Sequence, residues 1–143
     1  MKNKIVQLLT LVAIFIVAII KIVSNAERIV LHWDFMGNIT SYGSKYYIIC
    51  LPIISIIVYM ILLHCKENPF KINHIPKIDM TPKKQNLLIK YIQTVATLVL
   101  FILLYVTLCS AQFIELQPII IILTLLIIIV YYIYTYSKLK EKE

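Results

Sequence analysis

The chain has 143 residues, 61% of them hydrophobic and 15% charged, with a formal net charge of +7, and its mean hydropathy is +0.88. Soluble domains run near half apolar with roughly a quarter of their residues charged, so this composition describes an integral membrane protein built as one compact unit. The basic residues lie beside apolar runs and form no soluble patch, which points to a charged membrane surface and away from nucleic acid.

Met1 to Lys4 is a short basic start, and Ile5 to Val23 follows with only Gln7, Thr10 and Lys21 as polar breaks. A helix of that length spans about 28 Å, close to a hydrocarbon core of roughly 30 Å. Lys21 falls in the last turn, where its stem can snorkel to the interface. The alternative reading is a secretory signal cleaved near Ser24-Asn25-Ala26, but the apolar run exceeds the usual length of about 7–15 residues and favours a retained anchor.

Arg28 to Lys45 is one of two sizeable polar interruptions and holds the single Trp, both Gly and the single Arg. Ile29, Leu31, Trp33 and Phe35 alternate with Val30, His32 and Asp34, a two-residue period that predicts a short half-buried strand. Met36-Gly37-Asn38 reads as a turn, because Gly and Asn tolerate positive φ. Ile39 to Tyr42 then returns as a second strand, broken by Gly43. A two-stranded hairpin alone is marginal in water, so it is expected to lie on the helix ends with Trp33 and Tyr42 as interfacial anchors. Ser44 is expected to cap the following helix, with Lys45 at the headgroups.

Tyr46 to Leu63 is the second span. Pro52 is read as internal, freeing the carbonyl of Ile48 and kinking the helix, with Ser55 as the hydroxyl that satisfies the backbone. His64 to Asn86 is the second polar interruption, with Lys66, Lys71, Lys77, Lys83 and Lys84 against Glu67 and Asp79. Its three prolines (Pro69, Pro76, Pro82) predict an irregular basic connector. Leu87 to Leu108 is the third span, carrying Lys90, Gln93, Thr94 and Thr97; hydrogen bonding between helices is the simplest use of these polar groups. Cys109 to Gln117 is a tight turn whose one charge is Glu115, and Pro118 opens a fourth span reaching about Tyr136. Tyr131, Tyr132, Tyr134 and Tyr136 form an aromatic girdle.

The expected fold is therefore an all-α integral membrane protein of four transmembrane helices arranged as two hairpins, with a short outward motif between the first two. Residues 1–63 form the first hairpin, 64–86 the connector, and 87–143 the second hairpin with its tail. Lysines of the amino terminus, the connector and the tail collect on one side, whereas the other side has only Arg28 and Lys45. The positive-inside rule then puts both termini in the cytoplasm of a cell-membrane protein and the Arg28–Lys45 stretch outside.

Arg28-Ile29, His32-Trp33-Asp34, Gly37 and Tyr42-Gly43-Ser44-Lys45, running into an apolar helix with Pro52, resemble the domain of unknown function 1648 over about residues 5–63. That domain also forms the amino-terminal part of SdpI-like membrane proteins. The resemblance implies a bacterial membrane protein acting in immunity to a secreted peptide toxin and in its signalling. Ala26 and Val30 stand where the family usually has prolines, and residues 87–143 lack the Gly-Arg and Trp signatures of SdpI-like proteins.

His32, Trp33, Asp34, Gly37, Asn38, Tyr42, Gly43, Ser44 and Lys45 are the expected binding residues. His32 beside Asp34 suggests an acid/base pair, but no nucleophile or oxyanion arrangement accompanies it, so no enzyme is expected. His32 is read as hydrogen-bonding locally, to Asp34 or to a helix end. Three cysteines (Cys50, Cys65, Cys109) show no metal-site spacing, so neither a metal nor another cofactor is expected. Cys50 and Cys109 are expected to be buried as small apolar residues, at depths that leave a disulfide open. Lipid and a peptide or membrane-protein partner are the expected contacts; an accessory role in an exporter or sensor complex is the main alternative.

Overall fold

The computed structural model describes residues 2–67 and 81–140. Four helices carry the chain: α1 (Lys2–Val23), α2 (Cys50–Glu67), α3 (Pro82–Ser110) and α4 (Pro118–Lys140). Each is long and apolar enough to cross a membrane, with mean hydropathy between 2.3 and 2.7. Between α1 and α2 lie two short antiparallel strands, β1 (Arg28–Trp33) and β2 (Ile39–Ser44).

The second polar interruption is shorter than the expected connector. Helix α2 continues through His64 and Lys66 to Glu67, and α3 begins at Pro82. Thr81 caps α3 by accepting from the Lys84 amide. Pro82 therefore starts a helix rather than breaking one, because the first turn needs no donor from it. Lys71, Lys77, Pro69, Pro76 and Asp79 lie outside the described residues.

Pro52 is the third residue of α2, and a 3-10 turn over Lys45–Ile49 leads into it. The tighter winding extends the helical run upstream of the proline to 23 residues. Ser55 donates to the Leu51 carbonyl at 2.8 Å, not to that of Ile48 as expected.

Helix α3 is the hub. It packs against α1, α2 and α4, whereas α4 packs chiefly against α3. The two sequence hairpins thus close into one bundle around α3. Gln7 of α1 is buried and donates to the Gln93 carbonyl (3.0 Å) and to Thr97 Oγ1 (3.1 Å). These bonds place the polar residues of α3 inside the bundle, where a helix-to-helix bond satisfies them. Tyr91 meets Tyr131 and Tyr132 with ring centroids 5.4 and 6.1 Å apart, so part of the tyrosine girdle also joins α3 to α4. Leu139 closes that contact against Leu88 and Ile92. The remaining faces of α4 are apolar and exposed, Ile119, Leu126 and Ile133 among them.

All three cysteines are free thiols; Cys109 is buried as expected, but Cys50 is exposed.

Candidate functional site

The strands pair Arg28 with Ser44, Ile29 with Gly43 and Val30 with Tyr42, then slip so that His32 faces Ser41 and Trp33 faces Ile39. Two slips leave Leu31 as an extra residue on β1 and Thr40 on β2. Ile29 and Val30 lie in the regular part, where neighbours point to opposite faces, and both are buried, so both faces of the strand are covered there. Ile29 enters a core with Ala18 of α1, Ile48 and Ala111. Val30 offers its carbonyl to Ser110 Oγ at 2.7 Å. The hairpin is thus clamped from two sides by helix ends, which supplies the packing that two strands lack on their own.

Its tip is built by Asp34. The carboxylate accepts from the amides of Met36 (2.9 Å) and Asn38 (2.8 Å) and from the Asn38 side chain (2.8 Å). The Asn38 side-chain amide, then the backbone amides, hold the Asp34 carboxyl below its ordinary range, since these bonds favour the charged form. Asp34 therefore does not pair with His32, and the expected His–Asp couple is replaced by a closed Asx turn. His32 is exposed on β1.

Gly37 has φ +88°, and a Cβ there would stand 2.7 Å from the Leu116 carbonyl oxygen and 3.0 Å from Pro118 Cδ. The tip is seated against the turn between α3 and α4. Gly43 has another reason to be glycine. It lies inside β2 rather than ending it, and a Cβ would meet the Leu31 side chain, whose Cγ is 2.9 Å away. Close packing against Leu31, not positive φ, selects glycine there.

The α3–α4 turn is equally ordered. Phe113 donates to the Leu108 carbonyl and Gln112 to that of Cys109, a Schellman closure with Gln112 at φ 64° where glycine is usual. Tyr105 Oη accepts from the Gln117 amide at 2.7 Å. Lys21 is buried, and its ammonium donates to Gln112 Oε1 at 3.3 Å, in the turn that follows α3. Lys45 donates from Nζ to the Ser24 carbonyl (2.9 Å) and from its amide to Glu27 (3.0 Å), so it ties the hairpin base together. Ser44 makes no side-chain cap bond; the 3-10 start of the next helix replaces the expected cap geometry.

Between hairpin and turn lies an open groove of about 710 Å³. Val30, Trp33, Gly37 and Asn38 line it from the hairpin, and Cys109, Gln112 and Phe113 to Gln117 line it from the end of α3 and the turn that follows. Glu115 is the one charged side chain along it. Phe35 is fully exposed and Met36 is 80% exposed beside its mouth.

Of the nine expected residues, Trp33, Gly37 and Asn38 line the groove. Asp34 shapes its tip, and Gly43 and Lys45 seat the hairpin. His32, Tyr42 and Ser44 lie elsewhere on the two strands. The residues of the α3–α4 turn, expected as a tight turn, are not among the nine expected binding residues. The signal available for them was Phe113-Ile114 beside Glu115, two bulky apolar residues that a tight turn does not require. Among the described residues, no three metal-ligating side chains converge. Comparison of the chain with protein-family models, with curated proteins and with solved structures finds no match.

Proposed function

We propose that this is a multi-pass membrane protein with both termini in the cytoplasm, and that it captures a peptide or a partner protein in the outward groove between hairpin and α3–α4 turn. The four apolar helices with largely exposed apolar faces support insertion in a bilayer, and the lysine asymmetry supports the orientation. The observation that carries the binding reading is the seating of Gly37 on Leu116. It joins two chain-distant turns into one recessed surface, lined by aromatic Trp33 and Phe113 and by polar Gln112 and Glu115. The groove's exposed surface is more polar than apolar, so it offers a peptide hydrogen-bonding groups beside a few apolar side chains. The resemblance of residues 5–63 to the domain of unknown function 1648 adds a role: protection of a bacterial cell against a secreted peptide, in the manner of SdpI-like proteins.

The test is a strain lacking the protein, challenged with culture supernatants of its own and neighbouring species. Sensitivity restored to resistance by the wild-type chain, but not by Trp33→Ala expressed at equal level, is the expected result. A deletion strain as resistant as its parent to every supernatant would sink the protective role.

A second reading, an accessory subunit of an exporter or sensor, is favoured by α4. Only 6% of its apolar window is buried, which leaves most of its surface for another membrane helix. Recovery of α4 crosslinks to one discrete partner would support it, and purification as a lone chain would remove it.

A further inference from the structure

At the end of the bundle opposite the hairpin, a crevice opens between α1, α2 and α3. Lys4 of α1 and Lys66 of α2 both line it, together with Gln7, Tyr59, Leu62 and Ile92. Its own space is about 20 Å³, enough for one water, so any larger group would sit across its mouth. Neither lysine forms an ion pair among the described residues, and the nearest acidic neighbour in sequence, Glu67, is exposed and outside the crevice. Two like charges lining one crevice make its opening attractive to an anion.

We propose that this crevice binds the phosphate of an anionic phospholipid. The phosphate bridges Lys4 and Lys66 and accepts from the Tyr59 hydroxyl, while its acyl chains run along the exposed apolar faces of α1 and α2. A membrane lipid is the source, because the opening lies at the ends of helices whose mean hydropathy is 2.3 to 2.7. Basic openings between helices on the cytoplasmic side suit such headgroups. The inference rests on the membrane reading above, but not on the groove.

The experiment counts phosphatidylglycerol and phosphatidylcholine bound to the full chain in detergent by native mass spectrometry. Phosphatidylglycerol should remain bound where phosphatidylcholine is lost, and millimolar inorganic phosphate should not displace it. Lys4→Gln and Lys66→Gln should each weaken binding about fivefold. Tyr59→Phe, which removes one hydroxyl and little packing, should weaken it less. Lys84→Gln, at the same end but outside the crevice, should leave it unchanged. Equal retention of both lipids, or an equal loss with Lys84→Gln, would overturn the site, and displacement by inorganic phosphate would overturn the lipid source. A chain that stays in solution without detergent would instead remove the membrane reading itself.

Discussion

Gly37 and Leu116 are 79 positions apart in the sequence, yet a Cβ on Gly37 would stand 2.7 Å from the Leu116 carbonyl oxygen. This contact locks the hairpin tip to the α3–α4 turn and defines one end of the groove. Two demands fall on the residue at once, positive φ and no side chain. Gly37→Ala should therefore destabilise the fold by about 2 kcal/mol or more. Gly37→Asn separates the two demands, because Asn tolerates the left-handed region. It should be no better than Ala, since its Cβ meets the same backbone oxygen. Unfolding in detergent, followed by Trp33 fluorescence, measures both.

Gly43 makes the opposite case. What fills its Cβ position is the Leu31 side chain, which can move. Gly43→Ala should cost about 1 kcal/mol, and Leu31→Ala should restore part of that loss in the double variant. A coupling energy within error of zero would show that the two residues do not share this space.

The Asp34 turn should respond to acid. Its carboxyl is held below the ordinary range, first by the Asn38 side-chain amide. A depressed folded value means that the contribution is complete above the unfolded aspartate value, about 3.9. It is lost as pH falls through the still lower folded value. Protection of the Met36 and Asn38 amides, taken relative to intrinsic exchange at each pH, should be present at neutral pH and fall on acidification. Asp34→Ala should lack it throughout, and an unchanged acid profile of protection in that variant would assign the response to another group.

Lys21 and Gln112 give a prediction whose sign is set by magnitudes. Gln112→Gly would relieve a positive φ, a gain of roughly 1–2 kcal/mol. It would also remove the amide that receives the buried Lys21 ammonium, and a hydrogen bond to a charged group is worth about 1.5–3 kcal/mol. The single variant should be neutral or less stable. Lys21→Met with Gln112→Gly should be more stable than Gln112→Gly alone, as read by thermal unfolding in detergent.

Gln7 tests the bundle. Gln7→Leu removes the bonds to Gln93 and Thr97. A double-mutant cycle with Thr97→Val should give a coupling of about 0.6 kcal/mol, and no more than roughly 1.7. Zero coupling would show that the two side chains do not share this bond.

Four apolar helices and a strand–turn–strand between the first two follow from local pattern alone. Runs such as Ile5–Val23 can hide their backbone polar groups only as helices, and Met36-Gly37-Asn38 can only turn. The turn after Ser110 and the start at Pro118 were legible for the same local reason. The groove was not, because its two walls come from residues about 80 positions apart, and no periodicity records which turn another turn will rest on. Neither did composition disclose that Gln7 serves Gln93 and Thr97, that Lys21 points to Gln112, or that Gly43 makes room for Leu31. Those partners are chosen when the helices close around α3, where burial leaves each polar group the one acceptor within reach and each close approach the one residue small enough to permit it.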